Sequence, residues 1–328
     1  MTFWRRLPKL RLASHGSILC FHGVVTADTP GASLIHVSVE ELNTVVEIAE
    51  ATGTVVPLGE LLARHRLGQS TAGMIALTFD DVYASLLSVG FTDRQVPFTV
   101  FAVTDALRQG SHFWWDRIED AHATATDEQW RHFENACGLG PTVLDPGPGD
   151  SQWSEVYRRA ILANHCGRLP DSIDEKLLEL ENEIGTRTRQ RSQTFSELAS
   201  IAVHAWVSVG IHTESHPVLP LLSDEAIMDE IRGCCRALQE RELRVLPVLA
   251  APYGIYDERT VRLAADAGMT ATVTLATRTL GGAGIRDVPR FCVMRDEPPW
   301  KQYLRVLGIS DWIRTWRGGT VSPLAELQ

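Results

Sequence analysis

Short apolar runs alternate with segments of helical period through the first hundred residues, the pattern expected of an α/β chain with parallel strands. Ser17 to Phe21 reads as the first strand. Ser38-Val39-Glu40-Glu41 has the spacing of a capping box, and Leu42, Val45, Val46 and Ala49 continue it at helical spacing, with Gly53 placed to end the helix in a left-handed turn. Thr54 to Leu58 then reads as a strand, Glu60 to Leu67 as a short helix, Met74 to Phe79 as the third apolar strand and Pro97 to Val103 as the fourth.

The alternation stops between about Leu107 and Gln193, where polar, helix-like stretches surround a Pro/Gly break at Asp145-Pro146-Gly147-Pro148-Gly149. This predicts a helical insertion over 107–195. A helix from Phe195 to His204 precedes the strand Val207 to Ile211. A long helix capped by Ser223, a strand over Val245 to Ala251, a helix capped by Asp257 and a strand over Thr270 to Ala276 follow, with an extended piece near Val288 to Val293. The organisation expected is a basic arm over 1–15, a barrel built from 16–106 and 196–294, the insertion, and a basic, aromatic tail over 295–328.

Composition bounds the function. The apolar share of 44% and charged share of 22% are those of an ordinary globular protein. Lys plus Arg number 31 against 41 for Asp plus Glu, a net charge of −10 that argues against a duplex nucleic-acid binder. The six cysteines show no Cys-x-x-Cys spacing, which suits a reducing compartment, and no apolar run is long enough to span a bilayer. With no visible secretion signal, the expectation is a cytoplasmic protein.

Four polar clusters follow four predicted strands: His22, Asp80-Asp81, His212 to Pro217, and Pro252-Tyr253. In a parallel barrel those C-terminal strand ends share one rim, where loops gather reactive groups from distant parts of the chain. His212 and His216, four residues apart, converge on one ion if their segment makes a helical turn. With Asp81 they would make a two-His, one-carboxylate set that leaves a position for water, and Asp80 beside it would be the general base. Each cluster alone also has an ordinary reading. The two histidines can be a solvated loop pair, the Asp pair a helix-capping turn, and His22 a hydrogen-bonded strand-end residue.

Thr78-Phe79-Asp80-Asp81, His212-Thr213-Glu214-Ser215-His216-Pro217 and Ala250-Ala251-Pro252-Tyr253-Gly254, in that order, resemble the first three motifs of the NodB-like polysaccharide deacetylases, carbohydrate esterase family four. Ser17 to His22 resembles the first strand of the subgroup that begins Ile-Leu-x-Tyr-His, and Val288-Pro289-Arg290-Phe291 resembles its late Leu-Pro-Arg-Ile segment. The resemblance implies a distorted (β/α) barrel holding a divalent metal, usually zinc, that removes an acetyl group from a sugar. It implies that Asp80 is the base, that Asp81, His212 and His216 are metal ligands, and that the main-chain amide of Tyr253 is the oxyanion donor. Metal-bound water would be the nucleophile.

Three departures stand out. Val82 occupies the place of the family's usual glycine, where positive φ strains a β-branched residue. Ala250 and Ala251 stand where many members carry an arginine that orients the base. The chain has no histidine after His216, so a C-terminal histidine acid is excluded and His22 becomes the acid candidate, with a second role as a group that orients a metal ligand left open. The substrate expected is an N-acetylated sugar in a glycolipid, nucleotide sugar or small glycoside. O-deacetylation, a degenerate carbohydrate-binding barrel and a partner-docking scaffold are the alternatives. The aromatic run Phe113-Trp114-Trp115 is expected to anchor the insertion by packing rather than to stack on sugar. Phe3, Trp4, Arg5, Arg6, Lys9 and Arg11, with Trp300, Lys301, Tyr303, Arg305, Trp312, Arg314, Trp316 and Arg317, suggest a peripheral membrane contact at the inner face, with packing of the tail on the barrel as the other reading.

Overall fold

Each apolar run bounded by polar turns becomes a strand in the computed structural model, which describes residues 15–26, 33–88, 90–137, 165–185, 188–275, 280 and 287–307. The strands are β1 (Ser17–Phe21), β2 (Val24–Val25), β3 (Val37–Ser38), β4 (Thr54–Val55), β5 (Met74–Phe79), β6 (Phe98–Ala102), β7 (Val207–Ile211), β8 (Val245–Ala250), β9 (Ala271–Thr274), β10 (Asp287–Pro289) and β11 (Phe291–Cys292). The main sheet is parallel throughout, in the order β10-β9-β8-β7-β6-β5-β1-β11, with β4 beside the start of β5. The two strands at its ends, β10 and β11, are consecutive in the chain and separated only by Arg290. One extended segment therefore bonds to β9 with its first half and to β1 with its second, and the sheet closes into the expected (β/α) barrel.

Helices cover the outside. Helix Val39–Thr52 begins at the predicted capping box, in which the Glu41 amide donates to Ser38 Oγ at 3.1 Å and the Ser38 amide to Glu41 at 2.7 Å. Gly53 does not end it in a left-handed turn. Its backbone is extended, and a side chain there would meet the Gly73 carbonyl oxygen at 2.4 Å, so close approach of two backbones is what requires glycine. The strand after it is only Thr54–Val55, because Pro57 caps the helix Leu58–Arg66 early.

Within 107–195 the described residues form helices Trp114–Thr124, Asp127–Ala136 and Asp171–Ile184 and contribute no strand to the main sheet. Ile118, Ala121, Trp130, Phe133, Ile173, Leu177 and Leu180 give them a core of their own. The Asp145 to Gly149 break, the basic arm up to residue 14 and tail residues Trp312, Arg314, Trp316 and Arg317 lie outside the described residues. Helix Pro299–Val306, the described part of the tail, packs on helix Val39–Thr52 and β1. Among the described residues, no helix is long and apolar enough to cross a membrane.

Candidate active site

Strand side chains alternate between the two faces, so every second residue of a barrel strand points into the lumen. Ile18, Ala76, Phe101, Val248, Ala250, Val273 and Val288 pack together there. The same parity carries Cys20, Thr78, Asp80 and Arg290 inward. Gly210 has no side chain because the Phe101 ring occupies its place, 2.4 Å from where a Cβ would stand. Among the described residues, the lumen is thus filled by aliphatic and short polar side chains, the Phe101 ring and Arg290.

That arginine is the partner of Asp80. Arg290 Nη1 and Nη2 donate to the two carboxylate oxygens at 2.7 Å each, a bidentate pair in which both side chains are buried. Nη1 also donates to Thr78 Oγ1 at 3.0 Å, whose hydroxyl donates to the Leu19 carbonyl at 2.8 Å. Burial works to raise the Asp80 pKa, but Arg290 first, and then His212, hold it well below the ordinary carboxylate range. The arginine missing beside Pro252 is therefore replaced, from a different strand, by one that the sequence shows only within its late Val-Pro-Arg-Phe segment.

Asp81, His212 and His216 come together next to this pair, all buried. His212 Nε2 and His216 Nε2 are 3.1 Å apart, and each lies 3.5 Å from Asp81 Oδ1. A tetrahedral zinc site with bonds of about 2.0–2.1 Å separates its ligands by about 3.3 Å, so the triangle has the size such an ion requires. Asp81 Oδ1 and His216 Nδ1 are buried without a hydrogen-bond partner. His212 Nδ1 is 2.9 Å from the Ala250 carbonyl, which fixes the tautomer and leaves the Nε2 lone pair free to coordinate. Asp80 Oδ2 stands farther off, 3.9 Å from His212 Nε2. Burial pushes Asp81 up to about 8, with Asp80 and Asp116 repelling its charge while His22 opposes the shift, and burial lowers His212 to about 4. The cluster lacks positive charge, and a divalent cation would supply it. The donor set fits such an ion.

The histidines do not converge through a helical turn. No helix spans 212–218; instead Thr213 (φ 70°) and His216 (φ 60°) take left-handed conformations. Glu230, on helix Asp224–Gln239, holds the loop by accepting the amides of Glu214 at 3.0 Å and Ser215 at 2.9 Å and the Ser215 hydroxyl at 2.6 Å. The Asp80-Asp81 turn is strained as Val82 led us to expect, with Asp81 at φ 65° and Val82 at φ 53°. Such conformations cost on the order of 1–3 kcal/mol and persist only where surroundings impose them. Here the end of the insertion does so: the Gln193 amide donates to the Val82 carbonyl at 2.8 Å and the Ala84 amide to the Arg191 carbonyl at 2.8 Å.

His22 follows β1 and is partly buried, with Nδ1 lacking a hydrogen-bond partner. Burial alone would lower its pKa; contact with Cys292 and the charges of Asp81 and Asp80 outweigh that and raise it to about 9. Tyr253 stands against the site, its ring 4.4 Å from that of His216, with its backbone at φ 58°. Its hydroxyl donates to the Gly167 carbonyl at 2.9 Å.

A wall of aromatic residues completes the site. Phe113 and Trp115 are buried and stacked, and Trp115 lies 5.0 Å from the His216 ring, so packing is what this run does. Trp115 Nε1 donates to Tyr83 Oη at 2.9 Å, and Tyr83 donates to Asp116 at 2.7 Å. Asp116 also faces His36 Nε2 at 2.7 Å. The Gly23 amide donates to His36 Nδ1 at 3.0 Å, so Nε2 carries the proton and the imidazole is neutral. The sequence pattern gave no sign of this network, since its members lie on separate elements with no shared spacing.

Residues 184–272, which contain His212, His216 and Tyr253, match the polysaccharide deacetylase family. No curated protein matches the chain by sequence. Among solved structures, the deacetylase PplD of Streptococcus pyogenes in complex with acetate is similar over 89% of this chain and 97% of its own, with a TM-score of 0.56 at 14% identity. IcaB of Ammonifex degensii is similar over 91% of this chain and 98% of its own (TM-score 0.53, 14% identity), and a de-N-acetylase of Aggregatibacter actinomycetemcomitans over 88% and 99% (TM-score 0.53, 14% identity). At these identities the likeness establishes the fold. The family match covers the loop that carries His212 and His216, and the barrel around it is shared with these deacetylases over nearly the whole chain.

Proposed function

We propose that the chain hydrolyses the acetyl group of an N-acetylated sugar, carried in a glycolipid, a nucleotide sugar or a small glycoside. The observation that carries this reading is the triangle of three buried lone-pair donors set beside a carboxylate that is held by arginine and kept off the triangle. Asp81, His212 and His216 would hold a divalent ion, zinc by the chemistry of the set. When bound, such an ion supplies Lewis acidity and lowers the pKa of water toward neutrality. Asp80 takes the proton of the attacking water. Arg290 keeps it ionised and aimed, and Oδ1 retains a second lone pair for that proton, whereas Oδ2 also accepts from the Cys20 thiol at 3.4 Å. His22, protonated at neutral pH, donates to the departing amine. The Tyr253 main-chain amide is the proposed donor to the developing oxyanion. A pure binding barrel has no use for an ionised base beside the donor triangle.

The test compares acetate release and bound metal. Asp80→Asn is expected to retain metal and lose turnover by about 10² or more, whereas His212→Ala loses turnover together with the ion of the Asp81–His212–His216 set. Full activity in Asp80→Asn would remove the assignment of the base. We further place the reaction at the cytoplasmic face of the membrane, with the basic, aromatic termini as the contact. Trp300, 62% exposed on its helix beside Lys301, supports that contact. Sedimentation with anionic liposomes checks it, and equal recovery of the full chain, of the chain without residues 308–328 and of Trp300→Ser would remove the tail from the contact.

A further inference from the structure

The rim carries a second set of donors that the proposed reaction does not use as ligands. Cys20 on β1 and Cys292 on β11 are direct partners in the parallel register, both on the lumen side, and His22 follows Cys20 at the next inward position. One ligand atom from each of the three lies within 4.8 Å of the other two. Met294 Sδ is 3.5 Å from Cys292 Sγ and adds a thioether at the edge. The other four cysteines, Cys137, Cys166, Cys234 and Cys235, belong to neither donor cluster.

We infer that Cys20, His22 and Cys292 form a second metal site, selective for thiophilic ions of the zinc and cadmium type. Its soft donors contrast with the oxygen and imidazole set of Asp81, His212 and His216. The size agrees: with metal–sulfur bonds of about 2.3 Å and metal–nitrogen bonds of about 2.0–2.1 Å, tetrahedral ligands stand about 3.5–3.8 Å apart, so the three atoms close on an ion through small side-chain shifts. The charge agrees as well. A divalent ion joined to two thiolates and a neutral imidazole is a neutral unit, and its formation releases two protons from the cluster, so no net charge is left buried beside the Asp80–Arg290 pair. His22 Nδ1 is buried without a hydrogen-bond partner, and as the coordinating atom it would give its lone pair to the ion. Resting on the reading of His22 as the acid, an ion here also opposes turnover, because a coordinated ring gives up the imidazolium form.

The experiment uses the full chain, reduced and stripped of metal, titrated with Co²⁺ and Cd²⁺. The readouts are thiolate-to-metal charge-transfer absorption and the number of ions bound. Wild type is expected to take two ions and to show the charge-transfer band. His212→Ala should take one ion and keep the band, and Cys292→Ser and Cys20→Ser should each take one and lose it. A wild type that binds one ion without the band, or a band that survives both cysteine variants, overturns the second site. One ion with the band, unchanged in His212→Ala, upholds it and overturns the first site instead. Should a cysteine variant fail to fold, X-ray absorption of zinc-loaded wild type and His212→Ala decides. Sulfur neighbours at about 2.3 Å are expected, and a purely nitrogen and oxygen shell rules the site out.

Discussion

Asp80 and Arg290 face each other across the barrel lumen, and each is tolerable there only because of the other. A buried charge that loses its partner typically costs about 3–5 kcal/mol. Arg290→Met should therefore lower unfolding free energy by about that amount in denaturant titration, with Arg290→Lys recovering part of it, since an ammonium restores the charge but not the two-pronged geometry. The pair was only half legible in the sequence. Asp80 announces itself through the Asp pair after an apolar strand, but its partner is 210 residues away and no local spacing connects them. His22 adds a pH dependence. Its pKa in the folded chain is raised to about 9, so as an acid it is charged below that value and loses its proton above it. Activity should fall as pH rises through about 9, and the His22→Gln variant should be slow throughout and lack this limb. The stability that His22 contributes runs the same way: it is fully present below the ordinary histidine value of about 6.5 and is lost as pH rises through about 9. Thermal unfolding of wild type and His22→Gln across that window reads the difference.

The elements that position the proposed metal ligands owe their shape to contacts from other elements. Glu230 is the clearest case, because one carboxylate on a neighbouring helix satisfies two amides and a hydroxyl of the His212–His216 loop. Glu230→Ala should loosen the loop and weaken metal affinity by about 10–100-fold, the usual effect of losing a group that orients ligands. Competition with a chromophoric chelator measures it, and unchanged affinity would show that the loop holds its left-handed turns unaided. This explains why the sequence suggested a helical turn there. Spacing of four residues speaks for a helix in isolation, whereas Thr213 and His216 take positive φ in a loop held by Glu230 and by the His216 amide, which donates to Thr213 Oγ1 at 3.0 Å. Helix starts were far more legible: the capping box at Ser38 is written in four consecutive residues and appears as written. Val82 lies between these cases. Its strain follows from its β-branched side chain, but the Arg191–Gln193 strap that imposes the conformation comes from the end of the insertion.

At the scale of the molecule, the proposed metal site draws on two strands distant in sequence, β5 and β7, so an ion bound there would tie the barrel together. Ligand binding to the folded state alone stabilises by about 4 kcal/mol at a free concentration of 1,000 times Kd. Removing metal with a chelator should lower Tm by several degrees in the wild type and by less in His212→Ala, which keeps only the cysteine-bound ion, as followed by calorimetry or circular dichroism. The sequence by itself determined the barrel class, its strand order along the chain and the rim that carries Asp80, Asp81, His212, His216 and Tyr253. It could do so because periodicity, caps and strand-end motifs are local, and parallel strands must bring their C-terminal ends to one side. The tertiary structure alone decided that the segment around Arg290 closes the ring, and so which residues meet inside it. Arg290 reaches Asp80, and Cys292 meets Cys20 and His22, through register between strands at opposite ends of the chain. No pattern within a few residues encodes that register, because it is set only when the last strands pack against the first and the last.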